Sequence, residues 1–239
     1  ANLVDETKVW KAKANVRLEN EDVAIEDLLA LLKKEKLDNN IKEQANTALA
    51  MAYQKKDSLE AVIDRLIRAT KTDENVIQKS RNLYILGQLY SQSNNKKAAL
   101  ATLEKLATYK KAPYKFRLQA HMALAKDTEA DSSINSLINR YKEMIANWDH
   151  RNHLDIINYH KGTLEEKRDS VENAIKSYKT ALLFKKARPK IKSYSYEKLA
   201  EIYFNSNKFF LASSYYDSVL KIDKEETLRI KKIQRKYNS

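Results

Sequence analysis

Cysteine is absent from the 239 residues, which excludes disulfides and thiol chemistry and leaves the redox compartment open. Glycine and proline are almost absent as well, with two of each. Strands joined by tight hairpins need many more turn formers, so the chain must be almost entirely helical. Glycines at positions 87 and 162 alone rule out a G-x-x-x-x-G-K phosphate loop and a G-x-S-x-G nucleophile elbow. No apolar run approaches the length that spans a bilayer, and the opening residues do not read as a signal peptide. Groups that could do chemistry are equally sparse. Asp149, His150, His153 and Asp155 form the one suggestive set, but no cysteine or zincin motif accompanies them, so they read as residues of a connector. Glu165 and Glu166, beside Lys167 and Arg168, read as a charged helix surface and not as an acid–base pair. The expectation is a protein that is not an enzyme, with no cofactor, metal or catalytic residue.

What is present is a repeat. Within Arg81 to Pro113, Leu86-Gly87 is followed by Tyr90, Ala99, Leu103 and Leu106, which is the tetratricopeptide (TPR) pattern of L-G-x-x-Y, a small residue and a late Pro. Gly87 and Ala99 are small where two helices of one repeat cross. Leu83, Leu86, Tyr90, Leu103 and Leu106 fill the seam. Small residues recur at 50, 87, 125, 162 and 200, spaced by 37 or 38 residues. The expected fold class is all-α, a right-handed TPR superhelix (α-solenoid) of about six repeats near 4–34, 42–71, 80–113, 118–147, 155–188 and 193–225. Such units stack because none can bury its own apolar face. The array over 1–225 is expected to be one continuous domain, with 226–239 a basic helical tail or the start of a further segment of a longer polypeptide. The first pair is the loosest match, through Trp10, Ala14, Ala24, Leu28 and Leu31. Glu165 and Leu137 depart from the usual residue types. Replacing Gly87 by Leu is expected to overpack the central crossing at a cost of about 1 to 3 kcal/mol, read as a lower melting temperature.

Charge is unevenly placed within the net +13. Residues 1–80 carry 14 basic and 15 acidic side chains, against 31 and 17 in residues 81–239. Lys185, Lys186, Arg188, Lys190 and Lys192 form one basic patch, and Arg229, Lys231, Lys232, Arg235 and Lys236 another. A polyanion such as RNA is therefore the alternative ligand. The inner surface of a TPR array is lined by the first helix of each pair. The repeat register places Arg81, Tyr84, Gln88, Gln119, Met122, Lys126, Tyr159, Thr163, Tyr194, Glu197 and Glu201 there as a partner-binding groove. Thr47, Met51, Tyr84 and Gln88 stand where a carboxylate clamp would need Lys and Asn. A groove of tyrosines, amides and methionine suits a protein segment.

Segments 9–28, 62–72, 81–90, 114–126 and 196–220, in that order, resemble the gliding-motility and type IX secretion TPR lipoproteins (SprE/PorW family). The resemblance implies a periplasmic TPR module on an outer-membrane lipoprotein, acting as a scaffold. Its implied partners are protein components of the secretion and motility machine: motor, ring and translocon. The lipid anchor that the resemblance implies would lie outside this chain.

Overall fold

The computed structural model describes residues 2–225 and 227–238, which form thirteen α-helices and one 3₁₀ segment. No strand occurs among them. In chain order the helices are α1 Asn2–Arg17, α2 Glu21–Leu32, α3 Asn39–Lys55, α4 Leu59–Ala69, α5 Val76–Gln92, α6 Lys96–Thr108 and α7 Tyr114–Asp127. They continue as α8 Asp131–Ala146, the 3₁₀ segment Trp148–His153, α9 Leu154–Lys167, α10 Val171–Leu183, α11 Pro189–Asn205, α12 Phe209–Ile222 and α13 Leu228–Asn238. They gather into two compact units, residues 1–127 and 128–239, with the division between α7 and α8. Both prolines serve helix starts. Pro189 is the first residue of α11, and the carbonyl of Pro113 accepts the amides of Phe116 and Arg117 in α7.

The scarcity of glycine is resolved at the turns. Glu19, Asp57, Asn94, Asp169 and Asn207 all have φ between 52° and 62°. Each follows the first helix of a pair and closes it with a six-to-one bond, for example Ser58 N–H to Tyr53 O at 3.0 Å and Asn95 N–H to Tyr90 O at 2.9 Å. These left-handed residues keep the 37- or 38-residue interval, except that none lies between Asn94 and Asp169. The omitted turn joins α7 to α8, where the two units divide. A left-handed conformation costs a residue with a Cβ about 1 to 2 kcal/mol, less for Asn and Asp. Glu19→Gly is therefore expected to raise the unfolding free energy by about 1 kcal/mol, and Asn94→Gly by much less, as measured by urea denaturation.

Packing follows the small positions. A Cβ on Gly87 would lie 2.7 Å from Leu103 Cδ2, and one on Gly162 would lie 2.7 Å from Tyr178 Cε1. The pairs Ala50 with Leu66 and Ala200 with Tyr216 share core clusters at the same sixteen-residue separation. The first helix departs from its expected register. Val9, Ala12 and Val16 are buried in the seam against Ala24, Leu28 and Leu31, while Trp10 is 56% exposed and Ala14 is also exposed. Trp10 matched the pattern by residue type, but the aliphatic row one position away fills the seam.

A second device recurs at the start of the first helices. Asp5 accepts from Lys34 Nζ, and the buried Glu43 accepts from Thr72 Oγ1 and, at 3.2 Å, from Asn75 N–H. Asp155, fully buried, accepts from Arg188 N–H at 2.9 Å and Arg188 Nη1 at 2.6 Å. Ser193 accepts from Arg229 Nη2 at 2.8 Å. In each case a buried group early in one pair holds the chain that leads out of it, satisfying polar atoms that would otherwise be orphaned.

Candidate functional site

In residues 1–127 the first helices α1, α3 and α5 together line a groove of about 660 Å³. Trp10, Met51 and Ile85 supply its apolar surface, and Gln44, Thr47, Gln54, Gln78 and Asn82 its amides and hydroxyl. Lys13, Arg17 and Arg81 stand against the single carboxylate of Glu6. The polar floor is internally held: Asn82 Nδ2 donates to Thr47 Oγ1 at 2.8 Å, and Gln78 Nε2 donates to Asn82 Oδ1 at 2.9 Å. Lys13 lies 4.5 Å from the Trp10 ring centre and donates to Gln44 Oε1 at 3.2 Å. Burial, followed by the neighbouring Arg17 charge, lowers its pKa. A pre-positioned tryptophan, paired amides and three cations can hold an extended or helical polypeptide. Arg81 is the one residue of the sequence-derived groove set that joins this lining. Trp10, Lys13 and Arg17 were not legible, because the first helix was read one position out of phase, and Gln44, Gln54 and Gln78, on α3 and α5, were not among the positions read as lining the groove.

The remaining expected positions fall elsewhere. Tyr84 is half-buried and Gln88 exposed on α5; on α7, Gln119 and Lys126 are exposed and Met122 is half-buried. In residues 128–239 the positions on α9 and α11 are engaged within the chain. Tyr159 packs 6.1 Å from Tyr194 and 5.8 Å from Tyr178, ring centre to ring centre, and burial pushes its hydroxyl up to about 12. Thr163 Oγ1 donates to His160 O at 2.7 Å. Arg229 of α13 lies over the Tyr194 ring at 4.6 Å and donates to Glu197 Oε2 at 2.6 Å and Asp223 Oδ2 at 2.7 Å. Glu201 lies within 3.7 Å of Lys198 and 3.8 Å of Lys236. Ile230 and Ile233 bury α13 against Ala212, Tyr216 and Val219, so this helix covers the end of the second unit. Residues 226 and 239 of the expected tail lie outside the described residues.

Glu165 is the plainest correction. It is not on a charged surface but buried, accepting from Lys161 Nζ at 2.6 Å and from Ser177 Oγ at 2.5 Å, in the space an aromatic ring would take. Lys161 also donates to Ser177 Oγ at 2.8 Å, so the replacement is a closed polar network. Glu166 accepts from Tyr178 Oη at 2.7 Å and from Lys198 Nζ at 3.2 Å. Of the basic patch, Lys185, Lys186 and Lys190 are exposed and Lys192 is half-buried, whereas Arg188 is turned onto Asp155 and lies 2.7 Å from His153 Nδ1. His153 and Asp155 are thus both committed to Arg188. No group of three metal-binding side chains occurs among the described residues.

Burial holds the His160 imidazole down to about 4. Its folded pKa lies below the ordinary histidine value, so the unfolded chain takes up the proton first as pH falls. Stability is therefore whole above pH 6.5 and declines between about 6.5 and 4. The expected loss by pH 4.5 is about 2 kcal/mol in wild type and smaller in His160→Gln, measured as urea midpoints across that range.

The tetratricopeptide repeat family model matches residues 80–113. No curated protein matches the sequence. Among solved structures the chain is similar to PilF of Pseudomonas aeruginosa, at 14% identity and a TM-score of 0.54, over 97% of this chain and 96% of that one. It is also similar to a thermophilic TPR protein of Thermus thermophilus, at 17% identity and a TM-score of 0.51, over 82% and 97%. NprR in complex with its cognate peptide NprX gives 15% identity and a TM-score of 0.55, over 98% and 72%. The fold is all-α and TPR-like. No helix among the described residues is long and apolar enough to cross a membrane.

Proposed function

We propose that the chain is a non-catalytic protein-interaction scaffold whose groove on α1, α3 and α5 holds a segment of a partner protein. The groove carries this reading: an exposed tryptophan, amides already fixed by hydrogen bonds, and three cations against one carboxylate, on a fold built from TPR helices. NprR, a structural relative, is solved with a bound peptide. The finer proposal is a periplasmic module of a type IX secretion and gliding-motility lipoprotein, at the periplasmic face of the outer membrane, coupling motor, ring and translocon proteins. Its support is the ordered sequence resemblance in five segments.

The test is photo-crosslinking in cells from positions 10, 51 and 81 of the tagged full-length protein, with mass spectrometry of what is captured. Secretion-motor, ring or translocon proteins are expected. Their absence while other envelope proteins are recovered would remove the secretion role and leave the scaffold. Recovery of RNA would favour the basic residues 185–192 and 229–236, and oligonucleotide binding would then have to fall steeply with salt.

A further inference from the structure

A second cavity, of about 530 Å³, lies on a different face of α3 from the groove. Lys33, Lys42, Arg65, Arg68 and Lys71 line it, with Leu29 and Leu32 as its apolar wall. The carboxylate of Glu43 also belongs to the lining, but it is already occupied by Thr72 Oγ1 and Asn75 N–H. Asp64 accepts from Arg68 Nε at 3.0 and 2.9 Å and lies 3.6 Å from Arg65 Nε. Lys33, Lys42 and Lys71 have no ion-pair partner among the described residues. Five cations thus face one engaged lining carboxylate and one neighbouring aspartate, an arrangement that like-charge repulsion disfavours unless an anion is brought to it. Arg68 uses its Nε on Asp64, leaving the two terminal nitrogens of the fork for another oxygen pair.

The floor of the cavity adds a second, independent observation. Asn46 is 6% exposed, its Nδ2 donates to Lys42 O at 2.8 Å, and its Oδ1 has no hydrogen-bond partner. A buried acceptor without a partner is costly, and it asks for a donor. Phosphate oxygens only accept, so the phosphates of a nucleic acid satisfy the cations but leave Asn46 Oδ1 to a ribose hydroxyl or a base N–H. A peptide bearing carboxylates satisfies both, through its side chains and one backbone N–H. No aromatic ring lines the cavity on which a nucleobase could stack. We infer that this cavity is a second binding site, for an acidic polypeptide segment with an aliphatic side chain. Its carboxylates pair with Lys42, Arg65, Arg68 and the two flanking lysines, a backbone N–H reaches Asn46 Oδ1, and the aliphatic group lies on Leu29 and Leu32. The site is independent of the groove and of any partner the groove takes.

The experiment is fluorescence anisotropy of the intact chain with a fluorescein-labelled peptide of repeated Glu-Glu-Leu units, blocked at both ends. Saturable binding is expected that weakens with salt and falls by about tenfold or more in Lys42→Glu with Arg68→Glu. Asn46→Leu removes the orphaned acceptor, so it is expected to retain or raise the melting temperature while weakening the peptide at least severalfold. That pairing separates a lost contact from a lost fold. Arg17→Glu, in the groove, is expected to leave the affinity unchanged. Three results would each overturn the inference: binding lost equally in Arg17→Glu, binding unaffected in the double variant, or displacement of the peptide by oligouridylate as readily as by unlabelled peptide.

Discussion

Replacing Arg188 by Met is expected to lower the unfolding free energy by about 3 kcal/mol, because it strands a charge that cannot reach water. The Asp155 side chain is 0% exposed, whereas that of Arg188 is 40% exposed. The two partners therefore do not lose equally. Without the guanidinium, Asp155 retains the Arg188 backbone N–H and an otherwise uncompensated buried charge. Without the carboxylate charge, as in Asp155→Asn, the guanidinium hydrates from its open side, and the expected loss is about 1 kcal/mol. Pairing Arg188→Met with Asp155→Leu removes both charges and is expected to recover most of the loss, as replacement of a buried pair by apolar groups of similar size generally does. Urea titration of the three variants checks the order. An Asp155→Asn loss exceeding that of Arg188→Met would show that the exposed end, not the buried end, controls the pair.

Gly162→Leu is expected to cost about 3 kcal/mol, more than the same change at Gly87. Two effects oppose each other at both sites. Leucine gains about 0.8 kcal/mol of helix propensity over glycine in mid-helix, while overpacking costs about 1 to 3 kcal/mol or more. The obstacle decides between them. At Gly87 the near atoms belong to Leu103, whose two branches can move to another rotamer. At Gly162 they are Cε1 and Cδ1 of Tyr178 at 2.7 and 2.9 Å, on a rigid ring that is fully buried and tied by its hydroxyl to Glu166. Truncating Tyr178 to Ala in the Gly162→Leu background should restore part of the lost stability, whereas in wild type it costs about 3 to 5 kcal/mol. Thermal and urea unfolding of the four proteins in that cycle measure the coupling, and additive losses would place the strain elsewhere.

The helical class and the crossing points were legible because each has a compositional reason: Gly87 and Gly162 have no room for a side chain, and the residues at 66, 103, 178 and 216 supply the bulk that faces the small positions. The phase of α1 was not, since Trp10 satisfies the pattern by type while Val9, Ala12 and Val16 satisfy it by burial. The α1 side of the groove, Glu6, Trp10, Lys13 and Arg17, depended on that phase. Glu165 was misread for a related reason. A glutamate beside three charged neighbours looks solvated along the sequence, and its partners Lys161 and Ser177 are brought to it by one helical turn and by the neighbouring helix. Arg188 shows the same limit of linear reading, because a run of cations conceals which one is turned inward. The left-handed turns did carry a signal, an Asn or Asp two residues past the end of the first helix in four of the five, but that signal is a conformation and not a motif.

The covering helix α13 also has a mechanical meaning. A pull at its far end would be borne first by Ile230, Ile233 and the three side-chain bonds of Arg229, to Glu197, Asp223 and Ser193. Those bonds attach to α11 and to the residue that follows α12, so load would enter both helices of the last pair together. The helix would yield as one element before the pair beneath it opened, giving a short first extension in a force ramp that Arg229→Ala would bring to lower force.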